Sequence, residues 1–218
     1  KTKVVNGLLW SLAERIGQQA LAFLITILIA RILSPQDYGL VGMVTIVFAF
    51  TSVFIDSGFS HALIQKKETT QIDFSSIFFF NVTLGTLACI FVFAIAPLIA
   101  GFYKEPELLG IVRIMSLNFI INAVGMIQST ILTKRMDFKA QTKVSLISII
   151  ISGTVGFTLA FHGYGVWSLV YQAIAANISR TFLLWIFVKW RPSFNFSYFS
   201  VRELFRFGSK MLASSVLN

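Results

Sequence analysis

The sequence predicts an all-α membrane protein built as a six-helix transmembrane bundle, and three observations carry that reading. Hydrophobic residues make up 56% of the 218 and charged residues only 12%, about half the share found in soluble domains. Mean hydropathy is +0.79. Apolar runs of the length that crosses a bilayer, roughly 20 residues each, recur along the chain with short basic segments between them.

Six runs qualify, over residues 8–33, 38–55, 74–100, 108–133, 144–161 and 166–188, and a seventh begins near Phe205. Each boundary has a chemical cause. Ser34-Pro35-Gln36-Asp37 closes the first run, because proline removes an amide donor and clashes with the preceding turn. Lys66-Lys67-Glu68 separates the second from the third, and Lys104-Glu105-Pro106 the third from the fourth. Lys134-Arg135-Met136-Asp137 and His162-Gly163-Tyr164-Gly165 mark the next two breaks. Pro97, late in the third run, is expected to kink or end it. Residues 1–188 then form one six-helix lobe, 189–204 a linker, and 205–218 the start of helix seven. The chain opens at Lys1 and stops at Asn218 inside a fresh apolar run, which reads as a fragment of a longer protein whose C-terminal lobe lies beyond it.

The net charge is +9, from 18 Lys and Arg against 9 Asp and Glu. In a soluble domain such a balance would point to nucleic acid, but here the basic residues sit between apolar runs. Membrane topology accounts for them, and no nucleic-acid partner is expected. One set of connecting segments holds Lys1, Lys3, Lys66, Lys67, Lys134, Arg135, Lys139, Lys143, Lys189, Arg191, Arg202, Arg206 and Lys210. The other holds Arg31, Lys104 and Arg113. The positive-inside rule makes the first set, and the N-terminus with it, cytoplasmic. The same clusters suit contacts with anionic lipid heads. Trp10, Trp167, Trp185 and Trp190 fall near predicted helix ends as interfacial anchors. Ser152 and Gly156, four apart, allow close helix packing. The single cysteine, Cys89, excludes an intrachain disulfide.

Polar side chains inside spanning helices are costly and face a cavity or a partner helix. Ser11, Glu14, Arg15 and Gln18 share one face of the first span, with Gln19 beside it. Asn118, Asn122 and Ser129 share a face of the fourth. Ser168, Gln172, Ser179 and Arg180 form a stripe on the sixth. Arg180 sits ~21 Å from the outer end of its helix and ~12 Å from the inner end at 1.5 Å per residue. It is either an anion-binding cation in a hydrated cavity or one half of a structural pair with a carboxylate such as Glu14 or with helix carbonyls. Arg15 is either a cavity cation or an interfacial one that Glu14 neutralises. The amides of the fourth span read as glue between helices before they read as substrate contacts. Arg180, Arg15, Gln18, Gln172, Glu14 and Asn122 are the candidate cavity residues.

No catalytic or metal-binding constellation stands out, and neither a cofactor nor an enzymatic activity is expected. His61 and His162 fall in loops on opposite predicted faces. No Gly-rich phosphate loop and no Gly-x-Ser-x-Gly is present.

The segment Ala30-Arg31-Ile32-Leu33-Ser34-Pro35-Gln36-Asp37-Tyr38-Gly39 resembles the junction between helices one and two in the polysaccharide-transporter (Wzx-like) flippases. These proteins belong to the multidrug/oligosaccharidyl-lipid/polysaccharide (MOP) superfamily. Asp56-Ser57-Gly58-Phe59 with Ala62-Leu63-Ile64-Gln65-Lys66-Lys67, and Arg191-Pro192 leading to Leu204-Phe205-Arg206-Phe207-Gly208, are similar to two further stretches of that family. The nearest subgroup is the colanic-acid-exporter type. The resemblance implies two six-helix lobes around a central cavity. It also implies alternating access that moves undecaprenyl-diphosphate-linked oligosaccharide from the cytoplasmic to the periplasmic leaflet of the bacterial inner membrane. Its implied partners are that lipid-linked substrate, membrane lipids and the proteins of polysaccharide assembly. A cationic-drug exporter of the same superfamily, whose cavity should be acidic, and a membrane enzyme of polysaccharide assembly are the rival readings.

Overall fold

The computed structural model describes residues 2–56, 59–66, 69–194, 197–199 and 202, with side chains described from Ile16 onward except at 50–59 and 61. Among these residues there is no strand, and seven helices follow in order. They are α1 (Thr2–Ala30), α2 (Pro35–Asp56), α3 (Phe59–Gln65), α4 (Gln71–Tyr103), α5 (Glu107–Lys134), α6 (Phe138–Phe161) and α7 (Val166–Phe187). The six long helices correspond to the six predicted runs. By length and composition α4, α5, α6 and α7 can each cross a membrane, and Ile16–Ala30 of α1 is a shorter apolar stretch. The short α3 was not anticipated. It places His61 in a helix rather than in a loop. The expected seventh span lies outside the described residues.

Local chemistry sets the boundaries. Ser34 and Asp37 cap α2 reciprocally: Asp37 Oδ2 accepts the Ser34 amide at 2.9 Å and Ser34 Oγ accepts the Asp37 amide at 3.3 Å. Pro35 stands at the first helical position, where its missing donor costs nothing. Thr70 and Asp73 cap α4 in the same way, at 3.2 and 3.0 Å. Asp137 Oδ1 accepts the Ala140 amide at 3.0 Å to start α6. The α4 helix continues through Pro97 to Tyr103 and ends at Lys104, which takes a left-handed φ of 58°. Gly165, at φ 53° and ψ −134°, precedes α7. A Cβ there would sit 3.2 Å from Asp37 Oδ1, so the position is restricted to glycine by both backbone and space.

Lipid tails are as apolar as leucine, so helices in a bilayer are held by close packing and interhelical hydrogen bonds rather than by escape from water. Small residues supply the close packing. A Cβ on Gly85 of α4 would lie 2.8 Å from the Phe119 carbonyl oxygen and 2.8 Å from Ala123 Cβ of α5. Gly153 of α6 faces Ile25 of α1, and Gly156 of α6 faces Gln172 of α7. Ser152 is buried on the same face as Gly156.

Polar seams supply the rest. Asn177, Thr181 and Trp185 recur every four residues along α7 and bond to successive turns of α5. Asn177 Nδ2 donates to Asn118 Oδ1 at 2.9 Å, Thr181 Oγ1 to the Ile121 carbonyl at 3.1 Å, and Trp185 Nε1 to the Val124 carbonyl at 3.1 Å. That seam fixes the rotation of α7 against α5.

The two ends of the bundle differ. At one end Lys134 Nζ donates to the carbonyls of Leu63 and Lys66 at 2.8 and 2.5 Å, and Lys66 pairs with the buried Asp73 at 3.3 Å. Arg191 closes the C-terminus of α7 there, donating to the Trp185, Val188 and Trp190 carbonyls. The chain after α7 is clipped to the first two turns of α4: Gln71 Nε2 donates to the Arg191 carbonyl at 2.7 Å and Ser75 Oγ accepts the Ser193 amide at 2.9 Å. Lys66, Lys134 and Arg191, separated widely in sequence, therefore converge at one lysine-rich end. Asp37 and Gly165 mark the opposite end. Trp185 and Trp190 have protein partners beyond any interfacial role, since Trp190 Nε1 donates to Gln71 Oε1 at 2.7 Å and the Arg191 guanidinium lies 5.0 Å over the Trp185 ring.

Candidate functional site

Where α3, α5 and α7 meet, a cavity of about 390 Å³ opens beside the α5–α7 seam. Among the described residues, its walls carry hydroxyls and one cation: Ser60 from α3, Ser129, Thr130 and Thr133 from α5, and Arg180 and Thr181 from α7. Gly125 makes the corner possible. A Cβ on it would come 2.7 Å from Thr181 Oγ1, so glycine lets α5 and α7 approach at the cavity. Several hydroxyls are tied to their own helix, as threonine hydroxyls in helices commonly are. Thr130 Oγ1 donates to the Met126 carbonyl at 2.9 Å, and Thr133 Oγ1 to the Ser129 carbonyl at 3.0 Å. Their oxygen lone pairs still face polar neighbours: Gln141 Nε2 donates to Thr133 Oγ1 at 2.8 Å.

Arg180 is exposed to this space, and no hydrogen bond or ion pair joins its guanidinium to another described residue. Its place on the wall follows from the seam. Asn177, Thr181 and Trp185 turn one edge of α7 toward α5, and Arg180 stands next to Thr181 on the cavity side. Among the described lining residues there is no carboxylate, and Arg180 is the charged group. A guanidinium presents a planar fork of donors that fits two oxygens of a phosphate or carboxylate at once. The lysine-rich end lies close by, because Ile64 and Thr133, which line the cavity, adjoin the α3 terminus that Lys134 clasps.

A second cavity of about 460 Å³ adjoins the first, sharing Asn122 and Met126 with it and lying further from the lysine-rich end. Its walls are mostly apolar, with Phe48 and Phe119 stacked at 4.8 Å. The polar groups on them are Thr45, Asn118, Asn122 and Asn177.

The residues expected from sequence fall into three groups. Arg180 and Asn122 line the first cavity together, and Asn122 also lines the second. Gln18 on α1 and Gln172 on α7 line neither cavity; Gln172 packs its Cβ, Cδ and Oε1 against Gly156 of α6. The side chains of Glu14 and Arg15 lie outside the described residues, as does that of Trp10. The sixth-span stripe is divided: Ser168 Oγ donates to the Gly165 carbonyl at 2.6 Å and Ser179 Oγ to that of Ala175, while Arg180 turns to the cavity. In the amide stripe of α5, Asn118 bonds to α7 as helix–helix glue, while Asn122 is exposed. Asn177 and the hydroxyls of Ser60, Thr130, Thr133 and Thr181 were not singled out from sequence. Asn177 had a usable signal, lying three residues before Arg180 and so near its helical face.

Fold and site together define an all-α, multi-pass membrane protein with a cationic, hydroxyl-lined cavity between its helices. The chain belongs to a polysaccharide biosynthesis protein family, whose model matches residues 28–218. It is 28% identical to the succinoglycan biosynthesis transport protein ExoT of Rhizobium meliloti (strain 1021), over 99% of this chain and 44% of that protein. It is 25% identical to the lipopolysaccharide biosynthesis protein WzxC of Escherichia coli (strain K12), over 100% of this chain and 45% of that one. The teichuronic acid biosynthesis protein TuaB of Bacillus subtilis (strain 168) is 29% identical over 78% of this chain and 35% of its own length. The chain thus spans less than half the length of these relatives. No solved structure matches it significantly.

Proposed function

We propose that this chain forms the N-terminal lobe of an exporter that moves undecaprenyl-diphosphate-linked oligosaccharide across the bacterial cytoplasmic membrane by alternating access. The observation that carries the proposal is Arg180, exposed in a cavity lined by hydroxyls and an amide, with no carboxylate among the described lining residues. A diphosphate is acceptor-only and doubly charged, and such a wall offers it a fork of donors and no repulsion. The names of the relatives agree: one is a transport protein of succinoglycan biosynthesis, and the others belong to lipopolysaccharide and teichuronic acid biosynthesis. On this proposal the lysine-rich end is cytoplasmic, by the positive-inside rule. The N-terminus lies on that side as well. A second lobe rocks against this one around the cavity.

A cationic-drug exporter fits the cavity less well, since Arg180 would repel its substrate. Expressing the full-length protein in a strain that lacks its own exporter tests the choice. Restored surface polysaccharide supports the proposal, and an Arg180→Ala variant at equal membrane abundance should restore far less. Resistance to cationic dyes without restored polysaccharide would replace the reading with the drug-exporter one.

A further inference from the structure

The second cavity has chemistry that a diphosphate does not need. Phosphate oxygens only accept hydrogen bonds, whereas this cavity offers both donors and acceptors on neutral amides. Asn177 Nδ2 is committed, donating to Asn118 Oδ1 at 2.9 Å and to the Ala173 carbonyl at 3.2 Å. That arrangement leaves Asn177 Oδ1 as an acceptor and Asn118 Nδ2 as a donor, neither with a partner among the described residues. Asn122, shared by both cavities, is exposed and has neither end of its amide bonded to a described residue. The stacked pair of Phe48 and Phe119 forms an apolar wall beside these amides.

A polyprenyl tail in this space would leave the amide ends unpaired in an apolar environment, which is unfavourable. A sugar ring would not. Each hydroxyl is at once donor and acceptor, and the ring's C–H faces are apolar enough to lie on an aromatic wall. The order along the helix also fits: Asn177 lies just under one turn, about 4.5 Å along the axis, further from the lysine-rich end than Arg180. A ring attached to a phosphate at Arg180 would reach Asn177 and Asn122 next.

We infer that Asn118, Asn122 and Asn177 form a carbohydrate subsite for the sugar nearest the diphosphate, distinct from the Arg180 anion subsite and joined to it at Asn122. This inference rests on the reading of Arg180 as the diphosphate contact, and the test separates the two.

The experiment measures binding of two probes to the purified full-length protein in nanodiscs: undecaprenyl diphosphate, and undecaprenyl diphosphate carrying a short neutral oligosaccharide. Asn177 lines the second cavity alone, so Asn177→Leu should weaken the sugar-bearing probe about tenfold and leave the bare diphosphate within twofold. Asn122 lines both cavities, so Asn122→Leu should weaken the sugar-bearing probe several-fold more than the bare one. Arg180→Ala should weaken both. Asn122 makes no hydrogen bond to a described residue, so its variant reports binding even if Asn177→Leu misfolds. Equal loss of both probes in Asn122→Leu, or no loss of either, overturns the carbohydrate subsite. If Arg180→Ala binds both probes as wild type does, the diphosphate reading fails, whatever the asparagine variants show.

Discussion

Lys134 of α5 donates from Nζ to the carbonyl of Leu63 at 2.8 Å, closing the C-terminus of α3 from 71 residues away in sequence. A short helix has little stability of its own, because nucleation fixes several residues for each hydrogen bond formed. Here a cation at the helix C-terminus meets both its unpaired carbonyls and the negative end of its dipole. Since Ser60 and Ile64 of α3 line the first cavity, Lys134 also fixes one wall of the site.

Replacing Lys134 with Met should therefore lower the thermal stability of the purified protein by about 1–2 kcal/mol. It should also raise protease sensitivity near α3. Lys134→Arg should recover much of the loss. Identical melting of the Met variant and wild type would mean that the clasp is incidental.

Gly85 predicts a steep steric response. Its Cβ position lies 2.8 Å from a backbone oxygen of Phe119, and backbone cannot step aside as a flexible side chain can. Gly85→Val should cost about 1–3 kcal/mol or more by overpacking and reduce the monodisperse yield in detergent. Gly101→Ala, with open space at its Cβ position, is the control and should behave as wild type. Equal yields from the two variants would contradict the α4–α5 packing.

Orientation is testable by cysteine labelling in a Cys89→Ala background. Impermeant maleimide applied from outside should modify cysteines placed at Glu105 and Tyr164 but not at Lys66 or Lys139. Labelling at Lys139 with protection at Tyr164 would invert the proposed topology.

How much of this was legible in the sequence depended on the length of the signal. The six long helices are apolar runs with charged or proline-bearing breaks, and such runs need no tertiary information. The seven residues of α3 are too few for periodicity to show, and what stabilises them, Lys134, is remote in sequence. Within the site, Arg180 was conspicuous as a charge deep in an apolar run. Its neighbours were harder to choose. The α7 helix is packed on two sides, so its polar residues divide between α6, where Gln172 meets Gly156, and α5, where Asn177 meets Asn118. Periodicity places a residue on a helix face but not the partner that the face meets. For that reason the sequence pattern groups Gln172 with Arg180 and does not single out Asn177.

Conservative replacement of Arg180 probes the nature of the contact. Arg180→Lys keeps the charge but loses the fork, so it should support export at an intermediate level between wild type and Arg180→Ala, at equal membrane abundance. Full activity of the Lys variant would show that charge alone suffices.

The most direct measurement of the central claim is translocation itself. The full-length protein, reconstituted into liposomes loaded with undecaprenyl-diphosphate-linked oligosaccharide, should move the lipid between leaflets. Movement is read as the fraction of sugar newly accessible to an external lectin. The account predicts rapid exposure with wild type, and with Arg180→Ala a rate at least about tenfold slower, a barrier increase of ~1.4 kcal/mol or more. Equal rates for the two proteins would contradict the assignment of Arg180 as the contact that carries the anionic head group through the cavity.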